Sequence, residues 1–300
     1  MISVGIFNGY FPHSLEESIK RIKDLGFTSV QLDLSFKGMD LSTEALTKEK
    51  CHLIRDSFRD ANLPIVAVSG YTNLVHPNLV KREQNINDLK TLLKFARDLG
   101  TPYVVSETGT FNEESDWVYD AKNGTDEAYQ TICGVITDLV KFAYDHGSVF
   151  LIENYVNNII GTVDQVLRLF ADVRYSSLGL LMDPTNYFSD NNIDDVDGEL
   201  NRIFSALGEK IKIAHAKDCK RAEDLSEKHA AIDADESHTF RGAGSVELPA
   251  PGLGILNYNL YLKRLSALHP NIPLIIEHLD EPDIPRAKKF IDDQLKAVGC

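Results

Sequence analysis

Short apolar runs alternate along this chain with longer segments of helical periodicity, and this alternation strongly limits the folds open to it. Eight runs are nearly continuous in apolar and β-branched residues, as strands buried on both faces are; they are Ile2–Phe7, Ser29–Leu34, Pro64–Val68, Tyr103–Ser106, Val149–Ile152, Leu178–Met182, Ile211–Ala214 and Pro273–Ile276. Segments with helical period follow them one by one, at Ser14–Leu25, Thr47–Ala61, Leu79–Leu99, Asp126–Tyr144, Val163–Phe170, Gly198–Leu207, Tyr258–Leu268 and Asp283–Val298. Strict alternation predicts a parallel sheet with right-handed crossover connections.

Eight strand–helix units are the number that closes an α/β barrel, so we predict a (β/α)₈ TIM barrel that spans residues 1–300 as a single domain. The alternative is an open, doubly wound sheet, which usually carries a glycine-rich turn after its first strand. The segment Phe7–Tyr10 (FNGY) forms no such fingerprint. The longest irregular stretch runs from Lys220 to Gly254, after the seventh predicted strand, and loops of that length are usually functional or disordered.

The composition favours a small-molecule substrate over a nucleic acid. The formal net charge is −14, whereas duplex-binding proteins gain much of their affinity from Lys and Arg side chains that neutralise phosphates. The four cysteines are scattered without paired spacing, which is typical of reduced thiols in a cytoplasmic protein. The N-terminus lacks a leader pattern and no apolar stretch is long enough to cross a bilayer, so we expect neither a membrane nor a nucleic acid as partner.

An ionisable residue ends each of the last four predicted strands. The strand within VFLIENY ends in Glu153, and the strand within LGLLMDPTN ends in Asp183. The strand within IKIAHAKD ends in His215, and the strand within PLIIEHLDE ends in Glu277. Any one of these residues could cap a helix or form a salt bridge, but in a barrel all four meet at one end, where burying like charges is costly unless a cation binds them. Two Glu, one Asp and one imidazole form a mainly oxygen-donor set, which suits one divalent metal ion. Mn²⁺ and Mg²⁺ fit such a set best, and Co²⁺, Fe²⁺ and Zn²⁺ are further candidates.

With these residues the chain resembles the sugar isomerase/epimerase superfamily of xylose isomerase-like barrels over essentially its whole length. The most specific pieces are LIENY, LMDPTN, AHAKD and IIEH, and they are supported by SGYTNLVHPN at Ser69–Asn78 and PAPGLGILNY at Pro249–Tyr258. The resemblance implies that the family's metal ligands fall on Glu153, Asp183, His215 and Glu277. One position departs from the pattern, because many members have a His three residues after the Asp of the sixth strand and this chain has Asn186 there.

The superfamily includes ketose 3-epimerases, inosose dehydratases, hydroxypyruvate isomerases and barrel-type apurinic endonucleases. The resemblance implies a metal-dependent isomerase or epimerase that moves a proton next to the carbonyl of a sugar or sugar phosphate, through an enediolate, with Glu153 and Glu277 as catalytic residues. An inosose dehydratase-type lyase is the alternative. An apurinic endonuclease is less expected, because the acidic balance and Asn186 count against it. A barrel that only binds a sugar or a protein is a further alternative, and self-association as a homo-oligomer stays open.

Four further residues are candidates for binding the substrate. Arg241, in the long loop after the seventh strand, resembles a family arginine near the metal, with a solvated loop side chain as the alternative. Glu107 could bind a hydroxyl group, cap a helix or form a salt bridge, and Asn186 could act as a neutral hydrogen-bond partner. Lys217 could face the site or form a surface ion pair with Asp218 or another neighbour. Loop aromatic residues could cover a sugar ring or simply pack; they are Tyr10, Phe11, Tyr71, Phe111 and Trp117.

Overall fold

A computed structural model describes residues 1–222, 244–277 and 279–299 of the chain. Eight parallel strands close into a barrel, which confirms the predicted fold. These strands are β1 (Ser3–Phe7), β2 (Ser29–Leu32), β3 (Ile65–Ser69), β4 (Tyr103–Ser106), β5 (Val149–Ile152), β6 (Leu178–Met182), β7 (Ile211–Ala216) and β10 (Pro273–Ile276). They are hydrogen-bonded in the order β1-β10-β7-β6-β5-β4-β3-β2. Two short strands, β8 (Lys220–Arg221) and β9 (Val246–Glu247), form a separate antiparallel ribbon.

Within the described ranges, eight α-helices accompany the strands, and local sequence signals set where several of them begin and end. They are α1 (Leu15–Asp24), α2 (Lys48–Asp60), α3 (Leu79–Phe95), α4 (Asp126–Asp145), α5 (Val163–Asp172), α6 (Val196–Leu207), α7 (Tyr258–Leu268) and α8 (Ile284–Val298). Helix α1 begins where the Ser14 hydroxyl accepts a hydrogen bond from the Glu17 N–H, and Thr162 forms a full capping box with Gln165 before α5. Gly26 follows α1 with a φ of 78°, a conformation that favours glycine.

Alternate residues along each barrel strand point inwards or outwards to the helices. One set of inward positions forms an apolar cluster of its own, which we call the apolar layer: Ala67, Val105, Leu151, Leu181, Ile213 and Ile275. Outward positions such as Val104, Ile152 and Leu274 belong to the large core between sheet and helices. Two residues further along the same inward rows lies a second set, the polar layer: Ser69, Glu107, Glu153, Asp183, His215 and Glu277. The alternation that fills the barrel therefore also directs these polar side chains to the carboxyl ends of the strands.

The region after β7 is fastened to the barrel through one buried carboxylate. Asp218 accepts hydrogen bonds from the backbone N–H groups of Cys219, Gly252 and Leu256, each at 2.9 Å. The ribbon of β8 and β9 lies within the stretch from Lys220 to Gly254 that was predicted to be irregular. These strands could not be predicted, because two residues are too few to show a period. The loop before α7 is thus held close to the strand that carries His215.

The predicted strands agree with the structure to within two residues at each end, and the difference at β7 matters for the site. This strand continues to Ala216, so His215 lies inside it rather than directly after it. Its backbone there pairs with β10, where His215 is opposite Ile275. Cys51, Cys133 and Cys219 are free thiols in the described part of the chain. No helix in the described ranges is both long enough and apolar enough to cross a membrane.

Candidate metal centre

The four ionisable side chains predicted to meet at one end of the barrel do meet there. Each of Glu153, Asp183, His215 and Glu277 offers a ligand atom within 4.8 Å of the others. All four residues are buried, with exposed fractions from 0% for Asp183 and His215 to 7% for Glu277. Neighbouring parallel strands β5, β6, β7 and β10 supply them. The structure therefore brings together the four side chains that were predicted from the sequence to be metal ligands.

The imidazole of His215 lies at the centre of this cluster. Its Nδ1 atom is 3.4 Å from Glu153 Oε1, 3.3 Å from Glu277 Oε2 and 3.9 Å from Asp183 Oδ2. Yet this buried nitrogen has no hydrogen-bond partner among the described residues. A buried polar atom without a partner typically costs about 1–3 kcal/mol, and an ion is one of the groups that would satisfy it. The donor set and this unpartnered nitrogen both fit a bound divalent cation.

The other ring nitrogen of His215 is held by a residue that the sequence reading missed. His215 Nε2 lies 2.8 Å from Oε1 of Gln31, a buried residue of β2. The Gln31 amide nitrogen donates to Ser69 Oγ at 3.1 Å and to Tyr71 Oη at 3.2 Å, which orients Oε1 towards the imidazole. Nε2 must then be the donor, and Nδ1 is left as the nitrogen available to a metal ion.

The Glu153 carboxylate is fixed through both of its oxygens. Tyr71 donates its hydroxyl hydrogen to Oε2 at 2.5 Å, and the Asn186 amide donates to Oε1 at 2.8 Å. Burial raises the pKa of Glu153, and the nearby Glu277 and Asp183 carboxylates act in the same direction, while His215 lowers it. The two hydrogen bonds hold the Glu153 carboxylate in one orientation beside His215.

The Asp183 carboxylate divides its oxygens between the backbone and the cluster. Oδ1 accepts hydrogen bonds from the N–H and the hydroxyl of Thr185, at 2.9 and 2.7 Å. Oδ2 faces Lys217, whose Nζ is 2.7 Å away. The turn that begins at Pro184 thus fixes one oxygen and leaves the other directed into the site.

Lys217 is part of this cluster and is not a surface residue. Its side chain is 3% exposed, and Nζ donates to Asn186 Oδ1 at 2.8 Å. The alternative surface pairing with Asp218 is wrong, because strand alternation turns Lys217 inwards with His215 and the Asp218 carboxylate is bound to backbone N–H groups. Asn186, in turn, bridges Lys217 and Glu153.

The electrostatic field of the carboxylates favours positive charge at this end of the barrel. Burial opposes the charged imidazolium, but Glu277 and Glu153 outweigh burial and raise the pKa of His215 to about 10. The pKa of Lys217 is also raised, because Asp183, Glu277 and Glu153 together outweigh the effect of its burial. The same field would attract a metal cation.

The remaining candidates from the sequence divide between several environments. Glu107 is half-buried in the polar layer directly after β4 and is not one of the four side chains whose ligand atoms converge. Arg241 lies outside the described residues. Among the loop aromatics, Phe11 and Phe111 are buried in the core, and Trp117 packs edge-on against Tyr155 with ring centroids 5.8 Å apart.

Solved structures share this fold along the whole chain. A xylose isomerase-like TIM barrel protein from Mycobacterium smegmatis in complex with magnesium has a TM-score of 0.70 and 17% identity, covering 99% of this chain and 96% of that one. The probable 3-DHS dehydratase AsbF from Bacillus anthracis has a TM-score of 0.72 and 17% identity, covering 97% and 98%. D-psicose 3-epimerase with D-tagatose from Clostridium cellulolyticum H10 has a TM-score of 0.69 and 15% identity, covering 100% of both chains. At these identities the likeness shows the fold.

Comparison with curated proteins finds no sequence match for this chain. A family model does match it, and that model describes a xylose isomerase-like TIM barrel. The match covers residues 19–295, which include all four residues of the cluster and nearly all of the barrel. This chain belongs to the family of xylose isomerase-like TIM barrels.

Proposed function

We propose that the protein is a divalent-metal-dependent isomerase or epimerase that moves a proton next to the carbonyl of a sugar or sugar phosphate. The observation that carries this proposal is that two glutamates from the outer strands of the cluster converge on one imidazole nitrogen. Glu153 and Glu277 directly follow β5 and β10, the outer strands of the four that supply the cluster, and each has an oxygen within 3.4 Å of His215 Nδ1. Two carboxylates so placed can approach one substrate carbon from two faces.

The proposed reaction divides the work between the two glutamates. One carboxylate removes the proton α to the carbonyl, and the other returns a proton to the opposite face, which inverts the carbon. Tyr71 and Asn186 hold Glu153 through both oxygens, so its reach towards the substrate is fixed before binding.

Asp183 and His215 would chiefly hold the metal, whereas the two glutamates would both bind it and exchange protons. Thr185 fixes the Asp183 carboxylate, and Gln31 fixes the imidazole with Nδ1 towards the cluster. A bound divalent cation would polarise the carbonyl and stabilise the negative charge that develops when the proton leaves. The three carboxylates favour Mn²⁺ or Mg²⁺, and Co²⁺, Fe²⁺ and Zn²⁺ are further candidates.

A dehydratase is the second candidate. It would use the same proton abstraction and then expel a hydroxyl group from the neighbouring carbon. The observation that favours it is the buried Lys217 ammonium, 3.8 Å from Glu277 Oε2, whose positive charge could stabilise a leaving hydroxyl group. The structural likeness to a probable 3-DHS dehydratase agrees with this alternative. Cytoplasmic location and self-association stay predictions.

A substrate screen in D₂O tests the proposal and separates the two reactions. The purified protein is incubated with ketoses, aldoses and inososes, free and phosphorylated, with Mn²⁺ or with a chelator. An isomerase or epimerase conserves the mass of the sugar apart from one exchanged deuterium, whereas a dehydratase yields a product lighter by one water. We expect activity that requires the metal and deuterium incorporation next to the carbonyl. Retention of full activity under chelation would refute the metal-dependent mechanism.

A further inference from the structure

The ammonium group of Lys217 lies where three oxygen atoms converge. Nζ is 2.7 Å from Asp183 Oδ2, 2.8 Å from Asn186 Oδ1 and 3.8 Å from Glu277 Oε2. Two carboxylates and one amide carbonyl are oxygen ligands of the kind that hard divalent cations take. The residue is 2% exposed, so this cation is surrounded by protein and not by solvent.

The backbone fixes the position of this ammonium group. Ile213 belongs to the apolar layer and His215 to the polar layer, so alternation along the chain directs Lys217 to the same side. The carbonyl of Lys217 accepts a hydrogen bond from the Tyr258 hydroxyl at 2.9 Å, and that of His215 accepts one from Tyr261 at 2.8 Å. Both contacts come from α7, which packs behind this strand.

Asp183 connects the ammonium group with the proposed metal position. Its Oδ2 atom is 2.7 Å from Lys217 Nζ and 3.9 Å from His215 Nδ1, so one carboxylate contacts both places. Enzymes that use two metal ions commonly place them about 3.5–4 Å apart, a separation that a single carboxylate can span. The cluster therefore has the layout of a two-cation site in which one cation is a side chain.

The charges agree with this layout. Glu153, Asp183 and Glu277 carry three negative charges, and Lys217 carries one positive charge. One divalent ion beside a neutral His215 balances this set, whereas a second divalent ion would leave two positive charges buried without partners. We propose that the Lys217 ammonium occupies a second cation position and thereby limits the site to a single divalent ion. This inference rests on the proposed metal site.

The number of bound metal ions tests the inference without any substrate. Wild-type protein and the variants Lys217→Ala and Lys217→Arg are equilibrated with Mn²⁺, and the metal content is measured by elemental analysis and by calorimetric titration. We expect one ion per chain in the wild type and in Lys217→Arg, which keeps the charge. We expect two ions in Lys217→Ala, with the exchange-coupled electron paramagnetic resonance signal of a Mn²⁺ pair.

Each result bears on one of the two proposals. A wild-type chain that binds two ions, or a folded Lys217→Ala variant that binds only one, would overturn the role given to Lys217. A wild-type chain that binds no divalent ion would instead refute the proposed function. Because removing a buried cation can unfold a protein, thermal melting accompanies each measurement, and Lys217→Gln serves as a neutral variant of similar length with the same expected stoichiometry as Lys217→Ala.

Discussion

The apolar layer and the polar layer of the barrel interior are two residues apart on the same strands and have opposite character. At β10 the apolar layer contains Ile275, and the polar layer contains Glu277, which directly follows the strand. On β7 the same step leads from Ile213 to His215. Backbone geometry treats the two layers alike, because both follow from strand alternation. The side-chain types alone turn one layer into a core and the other into a candidate site.

The two layers differ in what they contribute to folding. The apolar layer removes hydrocarbon surface from water, which favours the folded state by about 25 cal/mol per Å². The polar layer instead gathers four carboxylates, three of them buried, which opposes folding unless cations and hydrogen bonds compensate. A chain that keeps such a layer gains something other than stability from it. Substitutions in the apolar layer should therefore lower stability, whereas substitutions in or behind the polar layer should lower turnover or metal affinity. Four predictions test this difference.

The largest effect is expected on turnover when Glu277 loses its charge. Glu277→Gln keeps the shape of the side chain but removes its ability to carry a proton. Because general acid–base catalysis contributes about 10²–10⁴-fold, we expect kcat to fall by about that factor. The measurement is solvent-deuterium incorporation into the substrate identified by the screen in D₂O.

Glu247→Gln is the matched control, since Glu247 lies on β9 and pairs with Lys220 at 3.1 Å, away from the cluster. This control should retain wild-type turnover. Undiminished deuterium incorporation in Glu277→Gln would show that Glu277 is not an essential proton carrier, and the layer would then contain only one catalytic glutamate.

On the same strand, Ile275→Ala should act on stability. Ile275 is fully buried in the apolar layer, and truncating a buried Ile to Ala typically costs about 2–5 kcal/mol. We expect the free energy of unfolding, measured by urea denaturation, to fall by that amount both with and without Mn²⁺. An Ile275→Ala variant as stable as the wild type would mean that the apolar layer is not a packed core.

The positions of both layers can be predicted from the sequence wherever a strand is recognisable as a hydrophobic run. Runs such as LGLLM and PLII have the continuous hydrophobicity of strands buried on both faces, and Asp183 and Glu277 directly follow them. The order of strands in a closed barrel then brings the ends of β5, β6, β7 and β10 together. The four converging side chains were accessible to sequence reasoning for this reason.

The groups that orient those four side chains could not be predicted with the same ease. Gln31 is the single amide within the short buried strand SVQL, and an amide between Val30 and Leu32 was the only local signal. Tyr71 bonds to Glu153 across 82 positions of sequence, so no spacing rule connects them. The sequence alone left open whether the Lys217 side chain faces the barrel interior or the surface, because this depends on where β7 ends. The strand is two residues longer than predicted.

The third prediction concerns Gln31, which supports the polar layer from the opposite side of the barrel. Gln31→Leu removes the acceptor for His215 Nε2–H and leaves the volume nearly unchanged. Loss of such a partner behind a metal-ligating His typically lowers metal affinity by about 10–100-fold, and we expect that decrease for Mn²⁺ by calorimetric titration. Gln84→Leu, on the exposed side of α3, is the control. Equal Mn²⁺ affinities in the two variants would show that Gln31 does not support metal binding.

The smallest effect is expected for Tyr71→Phe, which deletes one hydroxyl group and keeps the ring. Burial and the Glu153 charge raise the pKa of Tyr71 well above its usual value, so the hydroxyl group remains a donor to Glu153 throughout the working pH range. Gln31 loses one contact but retains Ser69, so the imidazole should stay oriented. We expect kcat to fall by about tenfold, near the lower end of the effect of one hydrogen bond to a charged group.

Tyr129→Phe provides the control for that last measurement, because the Tyr129 hydroxyl also donates to a carboxylate, Asp172, at 2.7 Å, but on the outer helices. Both substitutions delete a tyrosine–carboxylate hydrogen bond, so a general loss of stability would appear in both variants. If the polar layer is a catalytic site, only Tyr71→Phe lowers kcat. Equal kcat values in the two variants would mean that the hydrogen bond to Glu153 serves the fold alone, and the separation between the two layers would then be weaker than their side chains indicate.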